Sequence, residues 1–169
     1  MATPTLYIFS GLPGSGKSTL SQLLAARVCA AYVRIDTIEQ GLRELCSIKV
    51  EGEGYRLAAD SLRCGISVVA DSCNPIELTR REWERVARDA GAPFFNIEVV
   101  CSDLREHRRR VETRPSTVPG LILPTWRDVT ARQYDAWTVE RVTMDTYGRS
   151  ERECLDELLA KVSAPHNRR

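Results

Sequence analysis

Residues Gly11-Leu12-Pro13-Gly14-Ser15-Gly16-Lys17-Ser18 spell G-x-x-x-x-G-K-[ST]. They directly follow an apolar run of strand length, Leu6-Tyr7-Ile8-Phe9, and directly precede a segment with Leu20, Leu23, Leu24 and Val28 at helical spacing. The glycines let the backbone fold tightly enough for successive N–H groups to point at one anion, which a side chain would obstruct. Lys17 then reaches the outer phosphates of a nucleotide, the Ser18 hydroxyl is a Mg²⁺ ligand, and Thr19 carries the loop into a helix whose N-terminal dipole also faces the phosphates. A strand before and a helix after are the context this motif requires.

The rest of the chain agrees with that start. Apolar runs alternate with helix-period segments, which predicts an α/β fold, a parallel sheet covered by helices on both faces. Five strands are legible: Leu6–Phe9, Ala31–Ile35, Ile66–Ala70, Phe94–Cys101 and Val142–Asp145. Helices are expected over Thr37–Leu45, Tyr55–Cys64, Trp126 to about Trp137 and Ser150–Val162. Another, opening at Asn74-Pro75 with Asn74 as N-cap, stops at Gly91. Asp103-Leu104-Arg105-Glu106 has capping-box spacing and opens a basic helix ending by Arg114-Pro115. The 169 residues suit one domain with a buried core.

Ligands of open α/β sheets bind outside the carboxyl ends of the strands, where Asp36 and Asp71 fall. A carboxylate there can take the proton of an acceptor hydroxyl, the role assigned to Asp36, or stand in the outer shell of Mg²⁺, the role assigned to Asp71. Asp36 equally suits an N-cap, and Asp71 a bond to the phosphate loop. Arg105, Arg108, Arg109, Arg110 and Arg114 adjoin the Pro/Gly-bearing stretch 115–124, read as a lid spanning about 105–125. Arg110 and Arg114 share a helix face and are the candidates to close over a transferring phosphoryl group; the bland reading of the others pairs them with Glu106 and Glu112. Trp126, Tyr134 and Trp137 read as packing residues, with base stacking as the alternative.

Composition limits the partners. Twenty-four basic against 23 acidic side chains leave a net charge of +1, so no global field favours nucleic acid or an anionic membrane. No apolar stretch reaches membrane-spanning length and the N-terminus lacks a basic flank, so the cytosol is the expected location. Six cysteines without a C-x-x-C pair and two distant histidines suggest neither zinc nor disulfides.

In this order, the loop Gly11–Ser18, Asp36, Asp71-Ser72 and the Arg110/Arg114 pair resemble the small P-loop kinases of the AAA-33 type. That group includes the polynucleotide 5′-kinase domain, chloramphenicol phosphotransferase and gluconate kinase. The resemblance spans about residues 5–147. It implies a sheet in the order 2-3-1-4-5, MgATP as donor, Asp36 as general base, and Arg110 and Arg114 as lid arginines. In the polynucleotide kinase pattern an arginine three residues past the base grips the acceptor phosphate; here that position is Glu39, which disfavours a phosphate-bearing acceptor.

Transfer of the ATP γ-phosphoryl group to a small-molecule hydroxyl is therefore the leading expectation, with Glu39, Tyr55 and the 46–56 segment at the acceptor side. A polynucleotide or nucleotide kinase would instead need a basic groove near Arg34, Arg43 and Arg56. A regulatory module that hydrolyses ATP slowly would not need Asp36. Neither the acceptor nor the oligomeric state is legible from these residues.

Overall fold

The computed structural model describes residues 3–46 and 52–163. Strand β1 (Leu6–Ser10) is central in a five-stranded parallel sheet ordered β2-β3-β1-β4-β5, with β2 Ala31–Arg34, β3 Val68–Asp71, β4 Phe94–Val100 and β5 Val142–Asp145. Register places Phe9 beside Asp71 and Ile97, and Arg34 beside Asp71, so the carboxyl ends of β1, β2 and β3 lie side by side. The helices are α1 (Lys17–Val28), α2 (Ile35–Cys46), α3 (Glu53–Arg63), α4 (Glu77–Asp89), α5 (Leu104–Thr113), α6 (Trp126–Ala131) and α7 (Glu151–Ser163).

Strand alternation sorts the core into two layers. Phe9, Val69, Ile97, Val99 and Met144 pack with Leu20 and Leu24 of α1 and Leu158 of α7. Leu6, Ile8, Val33, Val68 and Ala70 pack with Ala58 and Leu62 of α3 and Trp83 of α4. Both sheet faces are thus covered, as the near-continuous apolar strands require.

Two expectations differ from the structure. Asn74 does not cap α4, which starts at Glu77 after an extended Ile76. Asn74 instead adopts a left-handed conformation and turns inward, donating from Nδ2 to Phe9 O at 2.8 Å and accepting from Trp83 Nε1 at 3.1 Å. The pull of these buried partners outweighs the local capping preference.

The second difference is α6, which ends at Ala131 instead of running to Trp137. A capping box between Thr125 and Asp128 opens it, but the backbone beyond is claimed by Arg80 of α4. This buried guanidinium donates to Asn74 O at 2.9 Å, Pro75 O at 3.2 Å and Asp135 O at 3.0 Å. It lies 4.1 Å from the Trp137 ring centroid and 4.9 Å from that of Tyr134. Trp137 and Tyr134 are thus packing residues around one cation, and Asp135 turns its backbone to the approach of α4 instead of a helix ladder, its N–H donating to Pro75 O at 2.8 Å and its carbonyl accepting from Arg80. Replacing Arg80 with Met should cost about 3 kcal/mol, since it strips buried carbonyls of a charged donor. Urea unfolding reads the loss.

Candidate active site

The phosphate loop is held in shape from several sides. Gly11 (φ 148°) donates to Cys73 O at 3.1 Å, and a Cβ there would lie 2.3 Å from Val99 O. Gly14 (φ 84°) sits so close to α5 that a Cβ would meet the Val111 methyl at 2.5 Å. These approaches, as much as the turn itself, demand glycine. His107 Nε2 donates to Pro13 O and Thr146 Oγ1 to Ser15 O, each at 2.8 Å. Gly16 precedes α1 without a capping side chain. The helix therefore presents its first N–H groups uncapped, a ready anion site. Ser15 Oγ is buried in the loop with no hydrogen-bond partner.

Lys17 is buried and paired with Asp71, whose other oxygen accepts from Tyr32 Oη at 2.6 Å. Burial alone would discharge both ends. For Lys17 the Asp71 carboxylate outweighs that effect and holds its pKa above the ordinary lysine value. For Asp71 the Lys17 charge and the bonds from Lys17 and Tyr32 do the same, holding it below the usual carboxylate range. Burial and Asp71 together push the Tyr32 hydroxyl well above its ordinary value. Ser18 Oγ lies 3.5 Å from Lys17 Nζ, so its hydroxyl and the Asp71 carboxylate flank the same ammonium.

In front of the loop lies a cleft of about 1160 Å³. Leu12, Pro13, Gly14, Gly16, Lys17, Ser18 and Thr19 line it, as do Asp36, Glu39, Arg110 and Arg114. Gly11 and Asp71 lie behind this lining, bonded to it. Asp36 is in the first turn of α2 and exposed, and among the described residues it has no hydrogen-bond or ion-pair partner. It therefore caps nothing. It is near enough to Lys17, Cys73 and Arg114 to act on all three electrostatically.

Arg110 and Arg114 do not share a helix face: Arg110 lies in the last turn of α5, whereas Arg114 follows Thr113 as an extended C-cap residue, because the chain leaves the helix ahead of Pro115. Arg110 is committed: Nε to Glu106 and Nη1 to Thr146 Oγ1, both 2.8 Å, and Nη2 to Thr146 O at 3.3 Å. It braces the hydroxyl that holds Ser15. Bonds from Arg109 and Arg110 hold Glu106 at a pKa of about 2. Arg114 forms no side-chain hydrogen bond or ion pair with any described residue. Its Nε is buried and unpartnered, and burial lowers its proton affinity. Arg108 pairs with Glu112 at 2.8 Å.

Tyr55 falls outside the cleft lining. Its ring packs on Trp83 with centroids 4.4 Å apart, and burial pushes its hydroxyl up to about 12. Of the 46–56 segment, residues 47–51 lie outside the described residues. Exposed Arg56 pairs with Glu53 away from the cleft, so Arg34, Arg43 and Arg56 do not form one groove. Arg34, Thr117 and Arg132 line the cleft as well, although the sequence singled out none of them for a small-molecule site. Arg34 could have been found from its place at a strand end two residues before Asp36.

A family model described as an AAA domain, AAA_33, matches residues 6–134. Among solved structures, the APS kinase CysC of Mycobacterium tuberculosis, in complex with AMPPNP and APS, is 19% identical with a TM-score of 0.68, over 97% of this chain and 100% of the other. A gluconokinase from Sinorhizobium meliloti 1021 is 16% identical with a TM-score of 0.64, over 96% and 94%. A sugar kinase from Janibacter sp. HTCC2649 is 14% identical with a TM-score of 0.62, over 97% and 96%. No curated protein matches the chain. At these identities the solved structures establish the fold they share with it.

Proposed function

The chain belongs to the AAA_33 family of P-loop kinase domains, and from that premise we propose that it transfers the γ-phosphoryl group of ATP to a hydroxyl of a small molecule. One observation carries the reading: a single cleft joins the uncapped α1 terminus and Lys17 to an unpartnered carboxylate, Asp36, and an unpartnered guanidinium, Arg114. A phosphate site alone would need neither of the last two.

Backbone N–H groups of residues 14–18 and Lys17 seat the β- and γ-phosphates. Asp36 accepts the proton of the acceptor hydroxyl as its oxygen bonds to the γ-phosphorus, and the bond from that phosphorus to the β-γ bridging oxygen breaks, leaving ADP. Arg114 faces the charge that develops on the equatorial oxygens. The stretch 115–124 acts as a lid that keeps water from competing with the acceptor.

The Ser18 hydroxyl lines the cleft and fits Mg²⁺ as a direct ligand, whereas Asp71, expected in the ion's outer shell, lies behind the lining with its oxygens bonded to Lys17 and Tyr32. Among the described residues no cluster of three or more acidic, His or Cys side chains is placed to hold a metal. When bound, Mg²⁺ neutralises charge on the phosphates. No described helix is long and apolar enough to cross a membrane.

ATP labelled at the γ-phosphate, offered with sugars, sugar acids, aminoglycosides, amphenicols, nucleosides and 5′-hydroxyl oligonucleotides, tests the proposal. Label should move to one small-molecule class. Label found only on oligonucleotides would replace the small-molecule reading with a polynucleotide kinase.

A further inference from the structure

The acceptor half of the cleft holds more positive charge than its carboxylates neutralise. Arg43 is matched by Glu39 at 3.3 Å and Glu106 is taken by Arg109 and Arg110, which leaves Arg34, Arg114 and Arg132 with the two other lining carboxylates, Asp36 and Glu151. The Arg34 side chain is 14% exposed and its Nη1 donates to Thr117 Oγ1 at 2.8 Å. Its nearest carboxylate oxygen, on Asp71, is 4.0 Å from Nε and already accepts from Tyr32. Nε is buried and has no hydrogen-bond partner among the described residues. The Nε–Nη2 edge, which can bind a carboxylate or phosphate bidentately, is thus uncommitted. A buried charged donor without a partner is costly, and such a group in a cleft points to a ligand.

Resting on the function proposed above, we infer that Arg34 clamps an oxyanion carried by the acceptor, so the substrate is a hydroxy compound bearing a carboxylate, phosphate or sulfate. Arg34 ends β2 and Asp36 stands in the first turn of α2, two residues on. The anion clamp and the base are therefore close enough to engage one small molecule, hydroxyl at Asp36 and anion at Arg34. Thr117, which holds Arg34, belongs to the stretch that covers the cleft, so the clamp is tied to the lid.

Protein loaded with Mg²⁺ and AMPPNP is titrated with inorganic sulfate and, separately, acetate at constant ionic strength, with melting temperature as readout. The sulfate arm reports tetrahedral oxyanions and the acetate arm carboxylates. At least one should stabilise saturably. Arg34→Gln should weaken that response by roughly tenfold or more, the loss expected when a charge-assisted contact goes. Arg34→Lys, retaining charge without the fork, should fall between. Arg63→Gln, whose exposed side chain pairs with Asp60 outside the cleft, should match wild type. No saturable response, or an equal response in Arg34→Gln, overturns the inference and leaves the kinase reading standing. Failure of AMPPNP itself to stabilise the protein would sink both.

Discussion

Replacing Asp36 with Asn lowers acceptor-dependent turnover by about 10²- to 10⁴-fold, the range supplied by a positioned general base. Nucleotide affinity should stay within about twofold, because the variant removes an interaction made with the reacting hydroxyl and not with ATP. Stability should barely move: Asp36 is exposed and bonds to no described residue, and losing a carboxylate from the first turn of α2 costs about 0.3–1 kcal/mol of helix-dipole interaction. A large loss of turnover with an unchanged melting temperature and unchanged AMPPNP binding separates a chemical role from a structural one. If output survives the substitution, Asp36 is not the base and a slow-hydrolysing regulatory module accounts better for the fold.

Lys17→Met should destabilise the protein by about 3 kcal/mol near neutral pH, the cost of taking its lysine from a buried carboxylate. Asp71 is 2% exposed and would retain Tyr32 as its hydrogen-bond donor and Arg34 Nε at 4.0 Å. The deficit depends on pH. In wild type the Asp71 pKa is depressed, so the stability it contributes is complete above the ordinary carboxylate range and is lost as pH falls through the native value. With Lys17 gone, burial remains and should raise the Asp71 pKa. The gap between variant and wild type should therefore be widest at neutral pH and narrow on acidification. Asp71→Asn placed on top of Lys17→Met should recover most of the loss, and a urea-unfolding double-mutant cycle measures the coupling. No recovery would mean that the pair contributes little and that Lys17 is there for phosphate alone.

The parts legible in the sequence were those set by local pattern. The strand order came from the resemblance to the AAA-33 type kinases and agrees with the observed sheet, while each strand boundary lies within about two residues of its apolar pattern. Asp36 and Asp71 were found because strand ends in such sheets converge. What escaped was decided by long-range partners. Asn74 and Pro75 look like a helix start, yet Phe9 O and Trp83 Nε1 claim the Asn74 amide. The apolar and aromatic spacing from Trp126 to Trp137 looks like one helix, yet Arg80, some fifty residues earlier, takes its carbonyls. Tyr55, expected at the acceptor side, is instead packed on Trp83 and does not line the cleft. Arg110 and Arg114 are alike by spacing; only Thr146, from beyond β5, commits Arg110 to bracing the phosphate loop and leaves Arg114 to the cleft.

The claim that one cleft passes a phosphoryl group from nucleotide to acceptor is tested most directly by measuring ADP and free phosphate together, in the same reaction, across the acceptor panel. The account predicts an acceptor that accelerates ADP release while free phosphate lags behind it, the difference appearing as phosphorylated product. ADP and free phosphate released one for one with every acceptor, at a rate none of them changes, would contradict it.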